Sequence, residues 1–344
     1  METKELNLMM HREEAIAEAG EILKNGGVVA IPTETVYGLA ADVFNEEAIA
    51  KIFEAKGRPQ DNPVIVHIAD RAQLDQVVVE VPEKAKQLMD AFWPGPLTLV
   101  LPKAEAIPAS VCAGLPTVAV RFPSNEVTQE IIRAAGTPLA APSANVSGGP
   151  SPTKALHVMN DLNGRIDAVV KASGLCEVGL ESTVVDMTQE PPVLLRPGAV
   201  TPEQIRSVIG DLNIAKAVTE PMAEDETAAS PGMKYRHYAP KVKVILVKGS
   251  YEKYRDYLND RQSSKNVALC YKGEGTDIGV PVVSYGLALS PEEQAKELFD
   301  ALRRIDKMAV NTVYARCPKP EGIGLALYNR LIRAAGFEVL DLGE

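Results

Sequence analysis

Apolar residues recur at helical spacing near the start of the chain. Ala15, Ile16, Ala19, Ile22 and Leu23 predict a helix over 11–24, and Asn25-Gly26-Gly27 supplies its stop. A continuous apolar run, Val28-Val29-Ala30-Ile31, follows as a strand and ends at Pro32. Asn45 then reads as an N-cap, with Glu46 and Glu47 set against the positive end of the helix dipole. Ala48, Ile49, Ile52 and Phe53 make the apolar stripe of that second helix, and Gly57 is placed to turn left-handed just past its end. Further strands are predicted at 63–68, 97–101, 117–122, 183–186 and 193–196, and helices near 83–92, 125–135, 153–160 and 202–209. Together they make an α/β domain over residues 1–210 with a mixed sheet.

The pattern changes twice after that. Residues 213–240 hold no sustained period: Glu220-Pro221, an acidic run at 224–226, small residues at 228–230 and Pro231-Gly232 mark 211–240 as a linker. One island inside it, Met233-Lys234-Tyr235-Arg236-His237-Tyr238-Ala239-Pro240, is too aromatic and too basic for an inert spacer. Residues 241–344 then alternate regularly. Strands at 242–247, 267–271, 280–285, 310–315 and 337–342 and helices at 251–260, 291–305 and 324–335 predict a small, mostly parallel sheet covered by helices.

A length of 344 residues suits two domains. With 46% hydrophobic and 24% charged residues, the composition is that of a folded chain. The formal net charge of −10 argues against a nonspecific nucleic-acid or membrane binder, which needs a basic field. All of that excess lies in residues 1–210, where 17 Lys and Arg face 27 Asp and Glu; residues 211–344 carry 19 of each. Cys112, Cys176, Cys270 and Cys317 form neither a CxxC pair nor a metal-ligand spacing, and predict free thiols in a reducing compartment. The charged first residues and the lack of a long apolar run predict a cytoplasmic protein without signal peptide or membrane helix.

Familiar nucleotide fingerprints are missing. No GxxxxGK[ST] loop occurs, and Gly322-Ile323-Gly324 and Gly273-x-Gly275 lack the remaining residues of a dinucleotide motif. The chemistry lies elsewhere. Pro32-Thr33-Glu34-Thr35-Val36-Tyr37-Gly38 places hydroxyls and a carboxylate at the end of a buried strand, either as a ligand site or as a self-bonded turn. Lys56-Gly57-Arg58-Pro59 holds a guanidinium on a rigid connection suited to phosphate or carboxylate, while Lys56 also fits a helix C-terminus. His67 shares a strand face with Ile65, as a core histidine or a ligand. In Thr117-Val118-Ala119-Val120-Arg121-Phe122, the small Ala119 leaves room between two polar groups on one face, and Arg121 needs an anion, whether substrate or buried carboxylate. The stretch from Ala141 to Thr153 offers hydroxyls, an amide and close-set glycines before a helix start. Arg196 ends another apolar strand and is pinned by Pro197-Gly198. Three arginines in rigid settings, within a domain of net charge −10, favour an anion pocket over three separate structural ion pairs.

The segments PTETVYGL (32–39), KGRPQDNP (56–63), WPGPLT (93–98), TVAVRFP (117–123), APSANVSG (141–148), ESTVVD (181–186), LLRPG (194–198) and PGMKYRHYAP (231–240) resemble, in order, the YrdC-like threonylcarbamoyl-AMP synthases of the long two-domain form. The resemblance implies a twisted, open α/β domain with a large concave cavity, followed by a small Rossmann-like α/β domain. It implies that L-threonine, bicarbonate and ATP, the last with Mg2+, give threonylcarbamoyl-AMP and pyrophosphate. The product would pass to the machinery that makes N6-threonylcarbamoyladenosine in tRNA. By the same resemblance, Thr35, His67, Arg121, Ala141 and Ser182 line the threonine end. Lys56, Arg58, Asn62, Thr117, Ser143, Asn145, Ser151, Arg196 and Tyr235 serve the nucleotide, with Lys56, Arg58 and Arg121 as the catalytic cations and no protein side chain assigned to the metal. Tyr235 lies in the linker island, so residues 231–240 are expected to fold back as a lid. An RNA-binding module and a carbamoyl transfer to another acceptor are the competing readings. The acidic balance and the lack of an aromatic-basic stripe count against the first, and direct tRNA contact is left open.

Overall fold

The computed structural model describes residues 2–222 and 237–343. Eleven strands form the first sheet: β1 (Lys4–Asn7), β2 (Val29–Ile31), β3 (Gly38–Asp42), β4 (Ile65–His67), β5 (Leu97–Pro102), β6 (Thr117–Arg121), β7 (Leu139–Ala140), β8 (Ala168–Lys171), β9 (Thr183–Asp186), β10 (Val193–Arg196) and β11 (Asn213–Ile214). Their spatial order is β1-β8-β2-β3-β7-β4-β6-β5-β9-β10-β11. The sheet is mixed: β4 runs parallel to β6, whereas β5 runs antiparallel to β6 and parallel to β9.

Alternation along the central strands creates two faces. Val66, Leu99, Val118, Val120, Val185 and Leu194 point into the main core. There they meet Ile49, Ile52 and Phe53 of α1 (Glu46–Lys56), Leu88 and Met89 of α2 (Glu83–Phe92), and Ile205 of α3 (Pro202–Ile209). The intervening residues Ile65, Val100, Ala119, Val184 and Leu195 form a separate small cluster on the opposite face. These helices cover one side; only a small apolar cluster floors the other, the concave face. The caps expected of α1 are present: the Asn45 side chain accepts from the Ala48 N–H, and Gly57 sits at φ +58°.

The second sheet has five strands, β12 (Lys243–Lys248), β13 (Asn266–Lys272), β14 (Val282–Leu287), β15 (Thr312–Arg316) and β16 (Val339–Asp341), in the order β14-β13-β15-β12-β16. All of its pairings are parallel. Helices α4 (Pro291–Ile305) and α5 (Ile323–Ala334) cover one face, and residues 251–259 cover the other with Tyr254 and Leu258.

The two sheets are joined by packing as well as by the linker. Val36 and Leu180 of the first domain belong to the same apolar cluster as Leu298, Phe299 and Leu331 of the second. Gly179, at φ +79°, lets α4 approach: a Cβ there would fall 2.4 Å from Lys296 Cα. Arg303 of α4 grips Asp161 with two bonds of 3.0 and 2.7 Å and donates to the Pro150 carbonyl at 2.6 Å.

Candidate active site

The concave face becomes a cleft because the ends of several strands bring polar groups to its rim. It encloses about 550 Å³, mouth included, and is lined by Thr35, Arg58, His67, Arg121, Ala141, Ser143, Ser182 and Arg196 among others. Eight residues expected from the sequence therefore meet in one place, drawn from positions 35 to 196. Thr33, Glu181, His237 and Tyr238 join them.

Arg121 is central at one end. It lies on the Ala119 side of β6, as alternation requires, and donates to the Thr35 hydroxyl at 2.8 Å. Its other terminal nitrogen lies 2.7 Å from Glu34 Oε1, a close ion pair with both side chains almost fully buried. Burial pushes the Glu34 carboxyl up, but the Arg121 charge and the Ser124 N–H outweigh it and hold the group below the usual range. Arg121 thus lines the cleft and is at the same time paired with a buried carboxylate. His67, next to it, is held neutral: burial first and then Arg121 push its pKa down to about 3, and its Nδ1 sits 3.2 Å from the Ile65 carbonyl.

The other end carries Arg58 and Arg196. Arg58 donates to the carbonyls of Asn62 and Pro63, at 3.1 and 2.7 Å, and its Nε is buried without a hydrogen-bond partner. Burial lowers its pKa to about 10, an unusual cost for a guanidinium. Arg196 donates to Ser182 twice, to the carbonyl at 3.0 Å and to the hydroxyl at 3.2 Å. The Ser182 hydroxyl also meets Thr98 at 2.7 Å. Burial lowers the Arg196 pKa as well.

Several expected residues stand behind the lining rather than in it. Lys56 is buried, and its ammonium donates to the carbonyls of Ser143 and Asn145, the second at 2.7 Å. It therefore ties the Arg58 connection to the 143–149 turn. Asn145 completes that turn, donating to Val146 and Gly149 carbonyls at 2.8 and 3.0 Å. Asn62 holds Arg58 through its carbonyl, and Ser151 donates to Glu181. Thr117 starts β6, four residues from Arg121 on the same face and so about 13 Å along the strand. Tyr235 lies outside the described residues.

The partners of three groups were not legible in the sequence, although the Glu34 carboxylate and the 233–240 island stood out there. Glu34 and Glu181 lie inside quoted motifs, but their partners come from distant segments. His237 and Tyr238 belong to the noted island; Tyr238 is buried, adopts φ +65°, and packs 5.6 Å from the Phe299 ring. Arg330 of α5 gave no signal at all. Fully buried, it donates to Glu181 Oε2 at 2.8 Å.

An open sheet that gathers three arginines around a small-molecule cleft, under a second α/β domain, is the architecture of an enzyme acting on anionic substrates. Residues 21–198 match a Sua5/YciO/YrdC family model described as "Telomere recombination", and residues 200–336 match one described as "Threonylcarbamoyl-AMP synthase, C-terminal domain". Two similar curated proteins, from Pyrococcus abyssi and Bacillus subtilis, are each 46% identical over 94% of this chain, covering 95% and 94% of their own lengths; both are named threonylcarbamoyl-AMP synthase. The crystal structure of P. abyssi Sua5 complexed with L-threonine superposes with a TM-score of 0.91 at 42% identity, covering 100% of both chains. The chain belongs to the threonylcarbamoyl-AMP synthase family.

Proposed function

We propose that this chain makes L-threonylcarbamoyladenylate and pyrophosphate from L-threonine, bicarbonate and ATP, for the modification of adenosine in tRNA. The observation that carries the site assignment is the convergence of Arg58, Arg121 and Arg196 on one buried cleft. The three substrates are all anionic or carry a carboxylate, so repulsion opposes their meeting; fixed guanidinium groups in a low-dielectric cleft offset it.

Arg121, with Thr35 and Ser182, takes the threonine carboxylate, and neutral His67 and Ala141 leave the amine unpaired with a competing cation. Arg58, Arg196 and Ser143 take the phosphates, while Lys56, Asn62, Asn145 and Ser151 hold those groups in position. Thr117 extends the nucleotide side along the concave face. Bicarbonate then condenses with the free threonine amine: the N–C bond forms, a C–O bond of bicarbonate breaks, and the oxygen leaves as water with an amine proton. The resulting carbamate carboxylate attacks the α-phosphate in line and expels pyrophosphate. Among the described residues, no group of three His, Cys, Asp or Glu side chains is placed to hold a metal ion. Mg2+ would enter with ATP and would neutralise charge on the triphosphate. The described ends of the linker support a lid. Ala215, Ala217 and Met222 pack on the cleft floor, His237 and Tyr238 line the cleft, and Ala239 N–H donates to the Gly148 carbonyl at 3.0 Å. The rest of the linker, including most of the 231–240 segment expected to act as a lid, lies outside the described residues. Among the described residues, no helix is long and apolar enough to cross a membrane.

The test is pyrophosphate release from ATP, with and without threonine and bicarbonate. Strict dependence on both is expected, with Arg58→Ala reducing turnover at least a hundredfold, about 2.7 kcal/mol of transition-state stabilisation. Release without threonine, or full activity in the variant, refutes the assignment.

A further inference from the structure

The second domain contributes a side chain that braces the wall of the cleft from behind. Arg330, on α5, is fully buried and reaches across the domain boundary. Its Nε donates to Glu181 Oε2 at 2.8 Å, one terminal nitrogen to the Pro197 carbonyl at 2.9 Å, and the other to the Glu181 carbonyl at 3.3 Å. The remaining Glu181 oxygen accepts from Ser151. Both segments that Arg330 grips lead into the cleft: Arg196, at the nucleotide end, precedes Pro197, and Glu181 holds Ser151 of the same end before the chain passes to Ser182. They also cross in backbone contact, since a Cβ at Gly198 would fall 2.4 Å from the Thr183 nitrogen.

We infer that Arg330 is a positioning residue for the nucleotide half of the cleft, acting through Glu181 and Pro197. This rests on the proposed reaction and adds a role for the second domain. Two effects follow from the contacts. The first is geometric: one guanidinium fixes the separation of residues 181–182 and 196–197, and with it the aim of Arg196 at Ser182. The second is electrostatic. Glu181 lines the cleft beside Arg196, and an unmatched carboxylate there would repel triphosphate and draw Arg196 toward itself. Pairing with Arg330 cancels that charge from behind. The guanidinium also lies 5.3 Å from the Tyr238 ring, so the re-entering linker is seated on the same group. Neighbouring contacts hold α5 in register: Asn329 donates to the Val218 carbonyl at 2.7 Å, and Arg333 to that of Ala217.

The experiment compares full-length wild type, Arg330→Gln, Arg330→Lys, and Arg330→Gln combined with Glu181→Gln, measuring pyrophosphate release while ATP and threonine are varied separately. Arg330→Gln is expected to raise KM for ATP about tenfold or more, because it strands a buried carboxylate, while KM for threonine stays within about twofold. Arg330→Lys, which keeps the charge but not the fork, falls between. The double variant recovers ATP affinity several-fold, since no uncompensated charge remains. A purely structural role would move both KM values together and show no recovery in the double variant; either result overturns the inference, as does an unchanged KM for ATP. Should Arg330→Gln not fold, the double variant, which buries no charge, still decides: ATP affinity below that of Arg330→Lys contradicts the electrostatic effect. Failure of wild type to release pyrophosphate would refute the reaction instead.

Discussion

Replacing Arg121 by Met tests the buried Arg121–Glu34 pair most directly, because the size of its effect on stability depends on pH. Arg121 and Glu34 lie 2.7 Å apart with side chains 4% and 3% exposed. Met keeps the bulk and removes the charge. Glu34 then retains the Ser124 N–H at 3.1 Å, while its second oxygen already has no hydrogen-bond partner. Removing one member of a buried pair costs about 3–5 kcal/mol. At about 2–4 °C per kcal/mol for a domain of this size, Tm should fall by about 6–20 °C near pH 8.

In wild type the Glu34 pKa is lowered, so its contribution is fully present above the unfolded value and is lost only as pH falls below it. In the variant, burial outweighs the remaining main-chain hydrogen bonds and raises the folded pKa. Stability then declines as pH rises from the unfolded value through the raised one. His67 beside Arg121 offers a second proton acceptor, with the same consequence. The Tm deficit of Arg121→Met against wild type should therefore be small at pH 5 and large at pH 8, read by thermal melts in matched ionic strength. Adding Glu34→Gln should remove most of the pH dependence. A deficit equal at both pH values, or below about 1 kcal/mol at pH 8, would show that Glu34 carries no buried charge and that the account is wrong.

Two further outcomes are expected. Lys56→Met leaves the buried carbonyls of Ser143 and Asn145 without their donor, which should cost about 1–3 kcal/mol; faster amide exchange across 143–149 and a larger loss in ATP than in threonine affinity are the readouts. His67 is neutral when folded, with a pKa near 3, and about 6.5 when unfolded. Its contribution is therefore full above pH 6.5, and acidification to pH 5 should remove about 2 kcal/mol that His67→Gln does not lose; parallel urea midpoints for the two proteins between pH 7.5 and 5 would refute this.

How far the sequence carries depends on whether a feature is local. The helix at 46–56 was legible because cap, stripe and stop all lie within a few residues, and the strand at 117–121 because its alternation separates Ala119 and Arg121 from Val118 and Val120. Strands at 4–7, 38–42, 139–140, 168–171 and 213–214 were not read. They have two to five residues, and Gly38-Leu39-Ala40-Ala41 is buried without alternation, so neither period shows. They are strands because neighbours pair with them. The same holds in the cleft. Rigid flanks marked Arg58, Arg121 and Arg196, but the carboxylates that shape their field are paired by tertiary contact, and Arg330 meets Glu181 from 149 positions away. On its own helix, that arginine looks like any surface charge.

The net charge of −10 and the cationic cleft are consistent once each buried charge is traced to its partner. Glu34 is matched by Arg121 within the first domain, and Glu181 by Arg330 from the second. Arg58 is held by the main-chain carbonyls of Asn62 and Pro63, which orient a guanidinium without cancelling it. Burial lowers the pKa of both Arg58 and Arg196, a sign that holding these cations in the free protein costs free energy. An anion entering the cleft relieves that cost, and a neutral ligand of equal size does not. On the proposed assignment, selectivity for carboxylate and phosphate is set before substrate arrives, and it requires both carboxylates to stay occupied elsewhere. One of those two conditions is met only when the second domain is docked.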